Sequence, residues 1–142
     1  MKYDDIELAF HFVSGAPFGE RSAVINRITG ESYYAAVMSD IDELPDDIDG
    51  NYDYVAIPHK NELDLGKPLV LEFVRTRCPE LTDRVLAIFS RRGAYGRYKD
   101  LLAEKNRLEE WYAFENERTR EALLKWCEQE GFVVQPLKGS LT

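Results

Sequence analysis

The stretch that most constrains the fold is residues 90–111, in which Gly93 separates two helical patterns. Apolar residues recur at i, i+4, i+7 and i+8 before Gly93 and at three- and four-residue intervals after it. A glycine that follows such a run is typical of a helix C′ position, where the backbone is left-handed. The sequence therefore predicts that one helix ends at Gly93, with Arg91 and Arg92 in its closing turn, and that another begins within two residues.

The composition is that of one soluble domain. The chain has 142 residues, of which 44% are hydrophobic and 12% aromatic, more than a disordered chain carries. We therefore expect a single domain over residues 1–142. No apolar run approaches the roughly 18 residues of a membrane span, so no membrane partner is expected. Acidic residues follow Lys2 directly and no apolar signal core is visible, which predicts a cytoplasmic protein.

The cysteines and histidines argue against a metal centre or a disulfide. Cys78 and Cys127 are solitary and lie in helical patterns, which favours reduced core thiols. His11 and His59 are the only histidines, and neither has zinc-ligand spacing to the cysteines. The sequence therefore predicts no metal and no cofactor.

The net charge of −8 is unevenly distributed. Residues 1–64 hold 4 Lys/Arg against 14 Asp/Glu, and residues 75–107 hold 9 against 4. One interpretation is that the two regions attract each other within one fold. The other is that the basic region binds an external anion, or that the acidic region imitates a phosphate backbone.

The first part of the chain predicts a helix followed by a small sheet. A helix is expected over residues 4–13, with Asp4 or Asp5 as its N-cap. Residues 21–28 and 32–38 are β-branched and aromatic and flank a Thr-Gly-Glu turn, which predicts a β-hairpin. A third strand over residues 52–57 is expected beside the second, which is apolar on both faces and is expected to be central.

Residues 39–53 contain seven acidic residues and invite comparison with a calcium loop. The EF-hand register fails, because placing Gly50 at loop position six puts Pro45 where the first aspartate should stand. The segment is therefore predicted to be a solvated loop.

The second part of the chain predicts a run of helices. They are expected over residues 67–78, from Pro79 to Gly93, from Gly93 onward, over residues 108–114, and from an Asn116 cap to Gly131. Residues 132–134 are interpreted as an edge strand and residues 138–142 as a loose tail. The predicted fold class is α+β, with a small antiparallel sheet covered on one face by about five helices.

Residues 91–100 (RRGAYGRYKD) and residues 111–114 (WYAF) resemble the signature of a small bacterial uncharacterised (UPF) family. That signature is approximately Gly-Arg-Gly-Ala-Phe-Arg-Arg-Phe-Lys-Asp, followed by Trp-Tyr-x-Phe. Tyrosines replace both phenylalanines of the first motif here, Arg91 replaces its first glycine, and Gly96 replaces an arginine. The resemblance spans residues 20–131 loosely. It implies a similar α+β fold and a bacterial, cytoplasmic protein, and it implies no activity.

The candidate binding residues surround the same glycine. Cationic side chains and free N–H groups at a helix N-terminus can hold a phosphate, and aromatic rings can stack on a base. These residues are Arg91, Arg92, Tyr95, Arg97, Tyr98, Lys99 and Trp111. The alternative is that the aromatic residues belong to the core and that the arginines pair with acids of residues 40–53.

Catalytic patterns are weak, so no catalytic residue is assigned. The serines lack a nucleophile-elbow context, and the glycines near position 93 do not form a phosphate loop after a strand. The leading hypothesis is a non-catalytic interaction or regulatory module with a protein partner. The alternatives are nucleic-acid or nucleotide-phosphate binding at the basic corner, and an acidic nucleic-acid mimic or inhibitor.

Overall fold

The computed structural model describes residues 2–132 and 134 of the chain. Within them it contains five α-helices and one four-stranded antiparallel sheet, which confirms the predicted α+β class. The elements are α1 (Tyr3–Ser14), β1 (Arg21–Asn26), β2 (Ser32–Ala36), β3 (Ile41–Asp42), β4 (Tyr54–Ala56), α2 (Lys67–Arg77), α3 (Thr82–Ile88), α4 (Ala94–Glu104) and α5 (Leu108–Gln129), with 3-10 helices at Lys60–Leu63 and Pro79–Leu81. No helix in this described part is long and apolar enough to cross a membrane.

The chain divides into two compact units, and the boundary falls within α5. The sheet unit comprises residues 1–63 and 120–142, and the helical unit comprises residues 64–119. By sequence, the sheet unit holds 7 Lys/Arg against 16 Asp/Glu, and the helical unit holds 11 against 10. The acidic excess of the chain therefore belongs to the sheet unit. The organisation of residues 1–142 as a single domain stays a prediction.

In the sheet unit, the strands follow the order β3-β2-β1-β4. The predicted hairpin of β1 and β2 is confirmed, with Ala23 opposite Tyr34. Helix α1 packs on one face of this sheet, because the ring of Phe12 meets that of Tyr34 at 5.0 Å. Ile6, Phe10 and other apolar residues of α1 are buried there. Helix α1 therefore covers only this face of the hairpin.

The order of the strands differs from the prediction. The predicted third strand, β4, pairs with β1 rather than with β2, and Ile25 lies opposite Val55. The free edge of β2 is taken by β3, a two-residue strand inside the acidic segment that was predicted to be a loop. Strand β2 therefore is central as predicted, but its neighbours are β1 and β3. It also ends at Ala36, and Val37 beyond it is 77% exposed.

The N-cap of α1 also differs from the prediction. Lys2, with an extended backbone, occupies the N-cap position, and Asp4 and Asp5 lie in the first helical turn. Carboxylates in a first turn are stabilised by the helix dipole, so these side chains favour the helix without capping it.

The helical unit is built around aromatic side chains. The ring of Phe73 on α2 lies 5.3 Å from that of Trp111 and 5.2 Å from that of Phe114. The predicted break at Asn116 is wrong, because α5 is one helix of 22 residues. Asn116 is an exposed residue in the middle of α5, and buried positions continue on both sides of it at helical spacing. Packing of an apolar stripe therefore outweighs the capping preference of one asparagine.

The helix end near Gly131 matches the prediction. Gly131 has a φ of 79°, and the ring of Phe132 packs 5.5 Å from that of Trp126. Arg27 reaches the same place, where its guanidinium donates to the carbonyl of Glu130. Phe132 is not in a strand. Residue 133 of the predicted edge strand lies outside the described residues, as does the predicted tail at residues 138–142.

Candidate anion-binding site

The turn between α3 and α4 carries the predicted cations, but it is longer than predicted. Helix α3 ends at Ile88 rather than at Gly93. The hydroxyl of Ser90 donates to the carbonyl of Ala87 at 2.6 Å, and the N–H of Arg91 donates to the carbonyl of Ile88 at 3.3 Å. These short-range bonds replace the helical pattern. Arg91 and Arg92 therefore lie in the connecting turn and not in the closing turn of a helix.

Gly93 has the predicted left-handed backbone, with φ 72° and ψ 21°, but it occupies the N-cap position of α4 instead of a C′ position. A glycine has no side chain with which to cap the helix. Among the described residues, no side-chain hydrogen bond caps α4, and the first turn of this helix contains no acidic residue. The first N–H groups of an α-helix lack intrahelical acceptors, so this end of α4 attracts negative charge.

Arg97 joins the two arginines of the turn. Its Nη2 donates to the carbonyl of Arg92 at 2.7 Å, which folds the side chain back from the first turn of α4. Arg91, Arg92 and Arg97 are all exposed. We call these three arginines the basic turn.

The arginines of the basic turn have no ion pair with a carboxylate among the described residues of the helical unit, whereas most other arginines of that unit have one. Four of the five other arginines of the unit are paired with acids: Arg77 and Arg107 pair with Glu110 at 3.4 and 3.2 Å, Arg84 with Glu104 at 4.0 Å, and Arg118 with Glu72 at 2.8 Å. The fifth, Arg75, has no ion pair among the described residues of the unit. Acids of residues 40–53 belong to the sheet unit, so their pairing with the basic turn stays a prediction. The charge of the basic turn is therefore not neutralised within its own unit.

Lys99 lies on a different side of α4. It follows Arg97 by two residues, which is a rotation of about 200° around a helix. Its ammonium group lies 5.7 Å from the ring centroid of Tyr112, an arrangement typical of a cation–π interaction. Lys99 therefore does not share a surface with the basic turn.

Tyr95 is half-buried, and its ring meets that of Phe89 edge to face at 5.1 Å. Burial, followed by the nearby charge of Glu115, raises the pKa of Tyr95. Phe89 was not among the predicted site residues, although it is the last apolar residue of the repeat before Gly93. The Phe89–Tyr95 contact packs the turn onto the start of α4.

Tyr98 and Trp111 are core residues, with 0% and 1% of their surface exposed. Their rings meet edge to face at 5.2 Å. Neither Tyr98 Oη nor Trp111 Nε1 has a hydrogen-bond partner among the described residues. Burial raises the pKa of Tyr98 above its ordinary value. Neither side chain can contact a macromolecule in this arrangement, so the site carried forward omits both.

The two thiols have raised pKa values, and the buried histidine is held by hydrogen bonds. Burial raises the pKa of Cys127 to about 11 and also raises the pKa of Cys78, and both thiols are free. A thiol with a raised pKa is a poor nucleophile near neutral pH. His59 is buried with both ring nitrogens engaged: Nε2 lies 2.8 Å from the carbonyl oxygen of Ala16, and Nδ1 lies 3.1 Å from the backbone N–H of Asn61. His59 therefore acts as a link between two loops.

A family model described as an uncharacterised protein family (UPF0158) matches residues 12–137. This match confirms the resemblance to an uncharacterised family that residues 91–100 and 111–114 predicted, while the motif itself stays a prediction. Comparison with curated proteins and with solved structures gives no match.

Proposed function

The chain belongs to the uncharacterised protein family UPF0158, and we propose that it is a non-catalytic interaction module whose basic turn binds the phosphate groups of a nucleic acid. One observation carries the proposal: three exposed arginines without ion pairs in their unit lie within four residues of Gly93, the N-cap of a helix that has no side-chain cap. Guanidinium groups donate paired hydrogen bonds to phosphate oxygens, and the helix terminus adds backbone donors and a partial positive charge.

The hydrogen bond from Arg97 to the carbonyl of Arg92 supports this role. It holds one guanidinium over the turn before a ligand binds, which reduces the side-chain entropy lost on binding. One nitrogen of Arg97 is used in this way, and a guanidinium has five N–H donors, so donors remain for a phosphate.

The test is a titration of labelled single-stranded and duplex oligonucleotides at low salt, repeated at several salt concentrations. Each phosphate contact contributes a log–log slope of about −0.7 on single strands and about −0.9 on duplex DNA. The variant Arg91→Ala/Arg97→Ala removes two contacts. It is expected to flatten the slope by about 1.4 to 1.8 and to weaken binding at low salt.

The matched control is Arg75→Ala/Lys105→Ala, which removes the same charge from exposed positions of the same unit. This control is expected to bind like the wild type. Equal weakening by both variants would show that only the net charge matters. No association at tens of micromolar protein would exclude nucleic acid as the ligand of the basic turn.

A further inference from the structure

A groove of about 440 Å³ opens on the sheet unit beside the edge strand β3. Its lining includes Ser22 and Ala35, which lie opposite each other on β1 and β2. Val37, Ile41 and Leu44 supply apolar surface, and Val37 and Ile41 are 77% and 37% exposed. Small residues opposite each other, with branched apolar side chains nearby, leave room for the stem of a long side chain.

The same groove is lined by three carboxylates, those of Glu20, Asp40 and Asp42. All three residues are exposed, and none forms an ion pair within the described residues of the sheet unit. Arg21 follows Glu20 in sequence, but its guanidinium donates to the carbonyl of Phe12 and lies over the ring of that residue. The groove therefore presents uncompensated negative charge next to exposed apolar carbon.

We propose that this groove binds an arginine or lysine side chain from a basic segment of a protein partner. Long cationic side chains have an apolar stem that packs on apolar surface while the charged head remains in a polar environment. The stem lies along Ala35, Val37 and Leu44. The head group donates to the carboxylates of Asp40 and Asp42, which are charge-assisted hydrogen bonds and stronger than neutral ones.

The charge of the groove decides in favour of this occupant. An apolar helix would leave the carboxylates desolvated and unpaired, which is costly. A bare metal ion would not use the apolar surface, and no group of three His, Cys, Asp or Glu among the described residues is placed to hold one. A basic side chain can pack its stem on the apolar residues of the lining and pair its charged head with the carboxylates. It also agrees with the excess of 16 Asp/Glu over 7 Lys/Arg in the sheet unit.

The experiment measures fluorescence anisotropy with a short labelled peptide in which arginine alternates with valine. The reference peptide has citrulline, a neutral isostere, in place of arginine. The intact chain is expected to bind the arginine peptide and not the citrulline peptide. Asp40→Asn/Asp42→Asn, which keeps the side-chain volume, is expected to weaken binding about tenfold, because two charged hydrogen-bond acceptors are lost.

Two further variants distinguish binding in the groove from general electrostatic attraction of the peptide to the acidic chain. Asp46→Asn/Asp49→Asn removes the same charge from the same acidic segment outside the groove lining and is expected to change the affinity less than twofold. Ala35→Leu fills the groove without changing the charge and is expected to weaken binding several-fold. Circular dichroism of each variant confirms that the fold is retained.

The proposal is overturned if both aspartate variants lose the same affinity, or if Ala35→Leu binds like the wild type. It is also overturned if the chain associates with itself in analytical ultracentrifugation and Asp40→Asn/Asp42→Asn abolishes that association, because the occupant would then be a second copy. The basic turn is unchanged in all of these variants. Oligonucleotide binding therefore tests the function proposed for the basic turn independently of this groove.

Discussion

The basic turn and the aromatic core of the helical unit come from one stretch of sequence and have opposite physical characters. Arg97 is exposed and its charge has no carboxylate partner in its unit, whereas the next residue, Tyr98, is 0% exposed and its hydroxyl has no partner among the described residues. One residue along a helix is a rotation of about 100°, enough to pass from solvent to core. A contiguous motif is therefore not a contiguous site, and its halves should respond differently to substitution.

The largest effect is expected in the core. Trp111 contacts the rings of Phe73 and Tyr98 at 5.3 and 5.2 Å and is 1% exposed. Trp111→Ala leaves a cavity there and should lower the free energy of unfolding by about 3–5 kcal/mol. Urea unfolding followed by circular dichroism measures the loss. Tyr112→Ala, at an adjacent residue that is 40% exposed, is the control and should cost less than about 1 kcal/mol.

Local signals explain which parts of the fold were predictable. Helix α1, the hairpin and the left-handed backbone of Gly93 follow from periodicity and turn residues within a few positions. The end of α3 at Ile88 could not be predicted from such signals. The hydroxyl of Ser90 bonds to a preceding carbonyl there, and a serine is a weaker sequence signal for a helix end than a glycine. The pairing of β4 with β1 depends on contacts between residues that are distant in sequence, which local patterns do not encode.

The candidate site was predicted in part for the same reason. The sequence pointed to Arg91, Arg92 and Arg97, because cations near a glycine are visible in it, and their role in binding stays a prediction. It could not show that Lys99 lies over the ring of Tyr112 or that other arginines of the unit have carboxylate partners. The groove on the sheet unit was also invisible, because its lining comes from three separate segments of the chain.

The second effect concerns alkaline pH and also belongs to the core. Because burial raises the pKa of Tyr98, the folded chain keeps a proton above pH 10 that the unfolded chain releases. Unfolding then releases a proton, so stability falls as the pH rises above about 10, by about 1.4 kcal/mol per pH unit for this residue. Urea unfolding of the wild type and of Tyr98→Phe at pH 8 and pH 11 checks this. A wild type that loses no more stability than the variant would contradict it.

A smaller effect is expected from the hydroxyl of Tyr98 at neutral pH. A buried hydroxyl without a partner costs desolvation and returns no hydrogen bond. Tyr98→Phe keeps the ring and should leave the free energy of unfolding unchanged or raise it by up to about 1 kcal/mol. Thermal unfolding at pH 7 measures this difference. A loss of more than 1 kcal/mol would show that the hydroxyl has a stabilising partner and that the core is not apolar at this point.

The smallest change in stability is expected at the basic turn. Arg91→Ala/Arg97→Ala removes exposed side chains and one exposed hydrogen bond to the carbonyl of Arg92, so it should change stability by no more than about 0.5 kcal/mol. Lys99→Ala, on another side of α4, serves as the control for substitutions in this helix. Thermal unfolding of the wild type, the double variant and Lys99→Ala at low and high salt measures whether any of these substitutions changes stability. If the double variant alone is destabilised, and more so at low salt, its arginines have carboxylate partners within the chain. The acids of residues 40–53 would then be the first candidates for those partners. The arginines of the basic turn would in that case stabilise the fold instead of binding a phosphate ligand.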